Sequence, residues 1–287
     1  MLIQIVNKSS NALTGTLVLP DGVRSEVKLK PFELGHFIRP VPKKPGNAVL
    51  ELGSRKINIP LDRSCTVLPQ LKTPPKFDGS GSWMKPLPGI ELKVPDHVTP
   101  KRALQWELGL FRNDGTDIHV KLHPAWDRNY FYLGAEVHDR THLQRYADQS
   151  IWKNDALQFA LSTRFDSVKA ELGTHAERNR YGLKDFNFGA ALSGKTTVFY
   201  SWSKAFRGVV GFPAKVTRKG ETTLYEIAVP WSKLGFSPAP GKAVRFSALV
   251  MNTDSPDQES APYHLDFGGG IAGKEDISLL NTFILGK

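Results

Sequence analysis

Turn-forming residues recur at short intervals along the first part of this chain, and this feature limits what the chain can fold into. Residues 2–6 are apolar and end at a run of Asn, Lys and Ser, while residues 13–19 alternate apolar with polar side chains and end at Pro-Asp-Gly. Because six short strands separated by frequent turns are typical of a small β-sandwich, residues 1–66 are predicted to form one of the immunoglobulin-like type. The other four predicted strands lie at 27–29, 36–38, 49–52 and 57–59.

Prolines interrupt the next part of the chain, residues 67–88, which is predicted to be a linker that becomes the entry to a second domain. Strand patterns resume over residues 89–287, and only the short stretches 165–172 and 230–234 favour helix. The predicted fold class is therefore all-β, with two β-sandwich domains. The strands predicted for the second domain lie at 102–110, 118–122, 130–137, 156–161, 184–192, 196–202, 209–216, 224–229, 243–251 and 279–285.

Composition excludes several classes of protein. The 287 residues include 40% hydrophobic residues, but no run approaches the roughly 20 apolar residues of a membrane-spanning helix. The N-terminal residues do not lead into an apolar segment, so no signal peptide is predicted. The single cysteine, Cys65, cannot form an intramolecular disulfide or a cysteine-based zinc cluster, and it is predicted to be structural or incidental.

The net charge of +10 raises the question of nucleic acid binding. Residues 1–72 hold 11 basic and 5 acidic side chains, which is +6 of that total. These charges are scattered over the predicted strands and do not gather in one stripe. A solvated surface is therefore predicted, and nucleic acid is not a predicted partner.

Four segments of the predicted second domain follow one another in a more specific order. The first has a Trp-Asp turn before an aromatic strand that ends in Asp, and the second has a tryptophan and an Asn-Asp turn before an alternating strand. The third contains a Pro-Trp turn closed by Leu-Gly, and the fourth is a strand that ends in Asn-Thr-Asp. In chain order they are residues 126–139, 151–161, 225–236 and 244–254.

Together with an upstream Asp78-Gly79 turn and Trp83, this order resembles carbohydrate-binding module family 9 and its relatives among the DOMON-like sandwiches, over roughly residues 74–287. The resemblance implies a β-sandwich that binds the ends of sugar chains and often holds structural calcium. It also implies an extracellular, periplasmic or cell-surface location, and attachment to further domains of a longer polysaccharide-processing or surface protein.

Trp152 and the polar residues that follow it have the chemistry to bind a sugar. Pyranose rings present C–H groups on their faces and hydroxyls at their rims, so an exposed indole stacks on the face while amides and carboxylates bind the rim. The resembling modules hold a stacking tryptophan at the position of Trp152, and Asn154, Asp155 and Gln158 are the predicted rim contacts. Gln158 departs from the pattern, because these modules commonly have an acidic side chain there.

Two further site residues are predicted from the resemblance. Asn187 lies in a strand where a further polar contact is usual. These modules often close the site with a second aromatic residue near the C-terminus, but no tryptophan follows Trp231 in this chain. Tyr263, or else Phe267, is the nearest substitute, so Tyr263 is included in the predicted site.

Some of the same residues have structural interpretations that the sequence leaves open. Trp152 is also suited to plugging the edge of the sandwich, and an Asn-Asp turn is also suited to capping backbone amides. Asp127 and Asp139 are candidate oxygen ligands for the calcium that the resemblance implies, and no other cofactor is predicted. The remaining tryptophans of the strand-turn patterns, Trp106, Trp126 and Trp231, are predicted to be core residues.

The function predicted from these observations is non-catalytic carbohydrate binding. A structural or adaptor module without sugar binding is the main alternative. A glycoside hydrolase is less favoured because no pair of carboxylates stands in a recognisable catalytic motif. A haem-binding DOMON-like domain is also less favoured, because no His and Met pair aligns with a ligand position.

Overall fold

The structure is a computed structural model that describes residues 2–38, 47–59, 66–104, 118–164, 180–273 and 275–287. Within these ranges every regular element is a β-strand or a short 3₁₀-helix, which confirms the predicted all-β class. No helix in the described part of the chain is long and apolar enough to cross a membrane. Cys65, Trp106 and the stretch 165–172 that favours helix lie outside the described residues.

The N-terminal part contains six strands, as predicted. Strands β2, β3, β5 and β6 form one antiparallel sheet in the order β3-β2-β5-β6, and β1 pairs with β4. Alternating apolar side chains, among them Ile3, Leu17, Val27 and Leu50, form a buried cluster of their own. The strands are β1 Leu2–Val6, β2 Leu13–Val18, β3 Arg24–Leu29, β4 Leu34–Ile38, β5 Ala48–Leu52 and β6 Arg55–Ile59.

The remaining strands form two larger sheets. One has five strands in the order β16-β17-β11-β10-β8, and the other has nine, in which β15-β14-β13-β12-β18-β19-β9 are successive neighbours and β20 joins β18 to β7. The strands are β7 Thr66–Leu68, β8 Ile90–Lys93, β9 Val98–Thr99, β10 Ile118–Trp126, β11 Tyr130–Asp139, β12 Ala156–Ser162, β13 Asp185–Ser193, β14 Thr196–Ser201, β15 Gly208–Val209, β16 Ala214–Lys219, β17 Thr222–Pro230, β18 Ala243–Asn252, β19 Tyr263–Phe267 and β20 Asn281–Leu285.

The core lies between these two sheets because alternate residues of each strand point inward. Phe131 of the five-stranded sheet packs against Phe159 and Phe246 of the nine-stranded sheet, with ring centroids 6.5 and 5.5 Å apart. All three rings are fully buried, and each buried phenylalanine contributes about 2–3 kcal/mol through lost apolar contact with water. The same alternation turns Gln158 and Ala160 of β12 toward the outer face of the nine-stranded sheet.

Three details of the strand prediction are wrong. The predicted strand 209–216 is split into β15 and β16, because Gly211 and Pro213 interrupt it and proline cannot donate to a ladder. Strands β7, β8, β9 and β19 are not among the predicted strands, since each is short and lies close to turn residues. The stretch 102–110 begins as the 3₁₀-helix Lys101–Leu104, and the rest of it lies outside the described residues.

The predicted linker 67–88 packs against the larger sheets. Strand β7 pairs in parallel with β20, and the Trp126 indole donates a hydrogen bond to the Leu68 carbonyl at 3.1 Å. Farther along, Trp83 packs over Gly134 of β11. The segment therefore supplies an edge strand and a cover for the outer face of the five-stranded sheet. The division of the chain into two domains stays a prediction.

Candidate functional site

The candidate site is a cavity of about 510 Å³ on the outer face of the nine-stranded sheet. Its floor is formed by outward-pointing side chains of adjacent strands, Gln158 of β12, Asn187 of β13 and Met251 of β18. Residues just before β19, Ala261 and Pro262, and just after it, Ile271, Ala272 and Gly273, also line the cavity. Four of the residues that the sequence predicted for the site border it, Trp152, Gln158, Asn187 and Tyr263, although the ring of Tyr263 belongs to the core.

Two tryptophans form the walls of the cavity. Trp152 lies on the 3₁₀-helix Ile151–Lys153 and is 43% exposed, while its neighbour Ile151 is fully buried and anchors the helix. Trp202 directly follows β14, and its indole donates a hydrogen bond to the Gln149 carbonyl at 3.1 Å. Its ring rests on Gly189, where a Cβ atom would lie 2.6 Å from the indole. Glycine at this position therefore allows the ring to lie flat on the sheet.

The floor carries a neutral pair of amides. The Gln158 Nε2 group donates a hydrogen bond to Asn187 Oδ1 at 2.9 Å, and the Asn187 backbone N–H donates to Ser203 Oγ at 3.0 Å. Among the described residues, no hydrogen bond uses Gln158 Oε1 or Asn187 Nδ2. The pair thus presents one acceptor and one donor to the cavity, which is the combination that a vicinal diol requires.

Charged groups stand at the rim. Arg207 and Glu275 line the cavity and are exposed, and neither has a hydrogen-bond or ion-pair partner among the described residues. His264 lies next to the floor, and burial lowers its pKa to about 4, so the ring is neutral at physiological pH. The cavity therefore combines aromatic walls and a neutral floor with one open cation and one open anion.

Asn154 and Asp155, which the sequence also predicted as contacts, lie beneath the loop and not in the cavity. Asn154 Oδ1 accepts a hydrogen bond from Arg145 Nε at 3.1 Å. Asp155 accepts from the backbone N–H groups of Leu143 at 2.6 Å and Thr253 at 2.7 Å. Both side chains are buried, and burial raises the pKa of Asp155 to about 8. In the structure they tie the loop that carries Trp152 to the end of β18, and their contact with a ligand stays a prediction.

Tyr263 is not the second exposed aromatic residue. Its ring is 1% exposed because alternation along β19 turns Tyr263 toward the core and His264 toward the cavity. Its hydroxyl accepts a hydrogen bond from Asn252 Nδ2 at 2.6 Å. The ring of Phe267, the other candidate, packs against Phe246 and Phe283 with centroids about 6 Å apart.

Trp202 is the second partly exposed aromatic residue that lines the cavity. It continues the alternation of Val198 and Tyr200 along β14, which places all three on the outer face. The sequence contains this alternation, but it does not reveal which face is outward, and the residue was missed for that reason.

The two aspartates predicted for calcium have different environments. The Asp127 carboxylate accepts hydrogen bonds from the backbone N–H groups of Asn129 and Tyr130, each at 2.7 Å, and from the Tyr132 hydroxyl at 2.8 Å, so it caps a turn. Asp139 is buried and accepts from the Thr141 N–H at 3.1 Å. Within the described ranges, no group of three His, Cys, Asp or Glu side chains is placed to hold a metal ion.

Two of the three predicted core tryptophans are core residues. Trp126 and Trp231 are each 1% exposed, and the Trp231 indole donates to the Asp127 carbonyl at 3.0 Å. This hydrogen bond and the carboxylate contacts of Asp127 fix the corner between β10 and β11.

Comparison with known proteins gives a family and a fold. A family model described as "Carbohydrate family 9 binding domain-like" matches residues 103–263, more than half of the chain. A carbohydrate-binding module family 9 from Caldicellulosiruptor kristjanssonii, in complex with cellotriose, superposes with a TM-score of 0.57 at 14% identity. The alignment covers 77% of this chain and 93% of that one.

A second structure of a family 9 module from the same organism, in complex with glucose, has a TM-score of 0.54 at 16% identity and covers 77% of this chain and 95% of its own. No curated protein sequence matches the chain significantly. At these identities the structural likeness establishes only the fold, a β-sandwich. The relationship to the family 9 binding domains is established by the family model.

Proposed function

Because the chain belongs to carbohydrate-binding module family 9, we propose that it is a non-catalytic carbohydrate-binding protein whose site is the cavity walled by Trp152 and Trp202. The observation that carries this proposal is the meeting of two partly exposed indoles and an amide pair in one cavity. These groups come from β12, β13, the end of β14 and a separate loop, so the fold brings them together from distant parts of the sequence.

A pyranose ring has C–H groups on its faces and hydroxyl groups around its rim. An indole binds the C–H groups on the face of a pyranose ring and removes apolar surface from water. Gln158 Oε1 accepts from a hydroxyl at the rim, and Asn187 Nδ2 donates to the neighbouring one. The two side-chain amides are already hydrogen-bonded to each other, so less side-chain freedom is lost on binding.

We propose that the ligand is the end of a sugar chain. Trp152 and Trp202 stand as walls around a floor three strands wide, and residues just before and after β19, among them Pro262 and Ala272, border it on another side. A continuous polysaccharide needs an open strip along the sheet, whereas this cavity admits a terminal unit. The solved family 9 modules with cellotriose and glucose are consistent with a ligand of this size.

The surroundings of the site also bear on catalysis. Hydrolysis of a glycosidic bond needs two carboxylates on either side of it. Among the described residues that line the cavity, Glu275 is the one carboxylate. The proposed role is therefore binding alone, as part of a larger extracellular or surface protein that processes or attaches to polysaccharide.

Structural calcium remains part of the proposal without an assigned site. The Asp127 carboxylate is occupied by three hydrogen bonds, so it does not fit as a ligand. Asp139 offers one buried carboxylate but no cluster of oxygen ligands among the described residues. Addition of calcium to a binding assay tests whether the ion is needed at all.

The proposal is tested by calorimetric titration of the protein with glucose, cellotriose and a panel of other oligosaccharides, with and without calcium. We expect at least one sugar to bind. Trp152→Ala should weaken that binding by at least tenfold, since stacking of a ligand ring on an aromatic side chain contributes about 1–3 kcal/mol. Val67→Ala, an exposed apolar residue far from the cavity, is the matched control. Undiminished affinity of Trp152→Ala contradicts the site, and a panel without any binding favours the adaptor role.

A further inference from the structure

A second cavity lies on the far side of Trp202. It has a volume of about 390 Å³ and shares Trp202, Arg207 and Glu275 with the first cavity. Because the same three residues line both, the two cavities flank one indole and belong to one groove. A sugar chain whose terminal unit occupies the first cavity places its next unit at the second.

The second cavity contains hydrogen-bonding groups for a sugar unit. Tyr181 lines it and is 4% exposed, and its hydroxyl oxygen is buried without a hydrogen-bond partner among the described residues. A buried hydroxyl without a partner is costly, so a ligand hydroxyl that reaches Tyr181 gains a hydrogen bond and removes that cost. Ser203 also lines the cavity but already bonds to Ser201 and Asn187.

The one buried carboxylate in this lining is neutralised. Asp185 pairs with Arg164 at 2.8 Å and accepts further hydrogen bonds from Ser162 Oγ at 2.5 Å and the Gly182 N–H at 2.7 Å. Its side chain is completely buried, so it neither reaches a ligand nor repels one strongly.

The open charges of the lining are mostly positive. Lys204 and Arg207 are exposed, and neither has an ion-pair or hydrogen-bond partner among the described residues. Glu275 lines the same cavity, yet it lies farther than 4 Å from both, since no ion pair joins it to either. A guanidinium has a planar fork of donors that matches a carboxylate, and an ammonium beside it adds to the attraction. Among the described residues, the groove thus has two unpaired cations, one unpaired carboxylate and a floor of neutral amides.

We propose that the second cavity takes a hexuronic acid unit of the bound sugar chain, with its carboxylate between Lys204 and Arg207 and one hydroxyl at Tyr181. This inference rests on the proposed function, because the first cavity holds the chain end that positions the acidic unit. It names the ligand class as an acidic oligosaccharide of two or more units.

The test compares cellobiose with cellobiouronic acid, the same disaccharide with one carboxylate in place of a primary alcohol. We expect the acidic sugar to bind about fivefold tighter at low salt, since two exposed ion pairs each add modestly to affinity. We expect the difference to shrink to less than about twofold at roughly 0.5 M salt, where exposed charges are screened within a few Å. Equal or weaker binding of the acidic sugar at low salt overturns the inference.

Variants separate this inference from the proposed function. Lys204→Gln and Arg207→Gln should each reduce the preference for the acidic sugar at least twofold, and Glu275→Gln should increase it. Lys195→Gln, in the exposed turn between β13 and β14, is the control that should change neither affinity. If wild-type protein binds both sugars equally, the proposed function stands and this inference fails. If it binds neither, this inference fails, and the wider panel of oligosaccharides decides the proposed function separately.

Discussion

The outer faces of the two large sheets contain similar side chains but differ in how far these side chains are covered. On each face a tryptophan rests on a glycine of a central strand, Trp83 on Gly134 of β11 and Trp202 on Gly189 of β13. Each indole also has a hydrogen-bond acceptor, and each face contains further aromatic and polar side chains. The region around Trp83 is covered by a loop, and a separate cavity of about 440 Å³ lies farther along the same sheet beside Glu91, His119 and His138. Trp202, by contrast, lines an open cavity itself.

The difference lies in how the polar groups are satisfied. Under Trp83, the fully buried Glu226 accepts hydrogen bonds from the indole at 3.0 Å and from the Gly79 N–H at 2.6 Å, both from the loop that covers the face. Phe77 and Tyr132 pack around the indole, with centroids 6.1 and 6.2 Å from it. The covering loop thus makes the hydrogen bonds and ring contacts that a ligand would otherwise make on this face.

On the nine-stranded sheet the polar groups keep unused hydrogen-bonding positions. The amide pair at the floor of the cavity retains one acceptor and one donor, and Trp152 remains 43% exposed. We infer that a tryptophan on the outer face of a sheet is structural where a loop makes hydrogen bonds to the neighbouring polar groups. It is suited to binding a ligand where those polar groups keep free hydrogen-bonding positions. This comparison leads to three predictions.

The largest expected effect separates Trp83 from Trp152. Trp83→Ala should lower the free energy of unfolding by about 3 kcal/mol or more, because it removes a packed ring and leaves Glu226 buried with one partner fewer. Trp152→Ala should lower it by less than about 1 kcal/mol while weakening sugar binding. Urea unfolding of the two variants measures both values, and similar losses for the two would contradict the division into a structural and a ligand-binding tryptophan.

A smaller effect is expected from the two glycines. Gly189→Ala places a Cβ atom 2.6 Å from the Trp202 ring, so the ring must move and sugar affinity should fall several-fold. Gly134→Ala places a Cβ atom 2.2 Å from the sulfur of Met84 and should cost about 1–3 kcal/mol of stability without changing affinity. Calorimetry and urea unfolding of both variants check this, and unchanged affinity of Gly189→Ala would mean that Trp202 does not contact the ligand.

The smallest effect concerns pH. Asp266 lies on the outer face of β19, 3.9 Å from His264, and its Oδ1 atom is buried without a hydrogen-bond partner among the described residues. Burial raises the pKa of Asp266 from 3.8 to about 6, while the nearby His97 opposes this rise. The folded protein therefore holds this proton more tightly than the unfolded chain, and the stability that results is complete below about pH 4 and is lost as pH rises through 6.

Asp266→Asn removes this dependence. Between about pH 4 and pH 7, wild-type protein should lose about 1–3 kcal/mol more stability than the variant, as followed by urea unfolding across the range. The carboxyl group of Glu226 accepts two hydrogen bonds, whereas Oδ1 of Asp266 has no partner among the described residues. The two carboxyl groups therefore differ in the same way as the polar groups around Trp83 and those in the cavity. Parallel pH profiles for wild type and variant would count against this account of Asp266.

Most strands could be predicted from the sequence because alternation and turn residues are local signals. Strand β12 illustrates this: alternating residues 156–161 predict both its extent and its two faces. Trp152 and Gln158 could be predicted from the sequence for the same reason, since they belong to one short segment. Asn187 came from the resemblance to a family and lies beside Gln158 in the structure.

The rest of the site depends on pairing that local signals do not contain. Asn154 and Asp155 are caps because Thr253 and other distant groups approach them. Tyr263 is buried because β19 pairs with β18 in a register that turns its ring inward. Trp202 enters the site only because β14 lies beside β13, so three strands must be placed before its role is visible.

The central claim is that Trp152 and Trp202 bind sugar while the other described tryptophans are structural. Indole N–H signals in a ¹H–¹⁵N NMR spectrum, assigned by single substitutions, report on each ring separately during a titration with cellotriose. We predict that the signals of Trp152 and Trp202 shift with a common affinity, while those of Trp83, Trp126 and Trp231 stay in place. A shift of the Trp83 signal without any change at Trp152 and Trp202 would place the ligand on the other sheet and contradict the account.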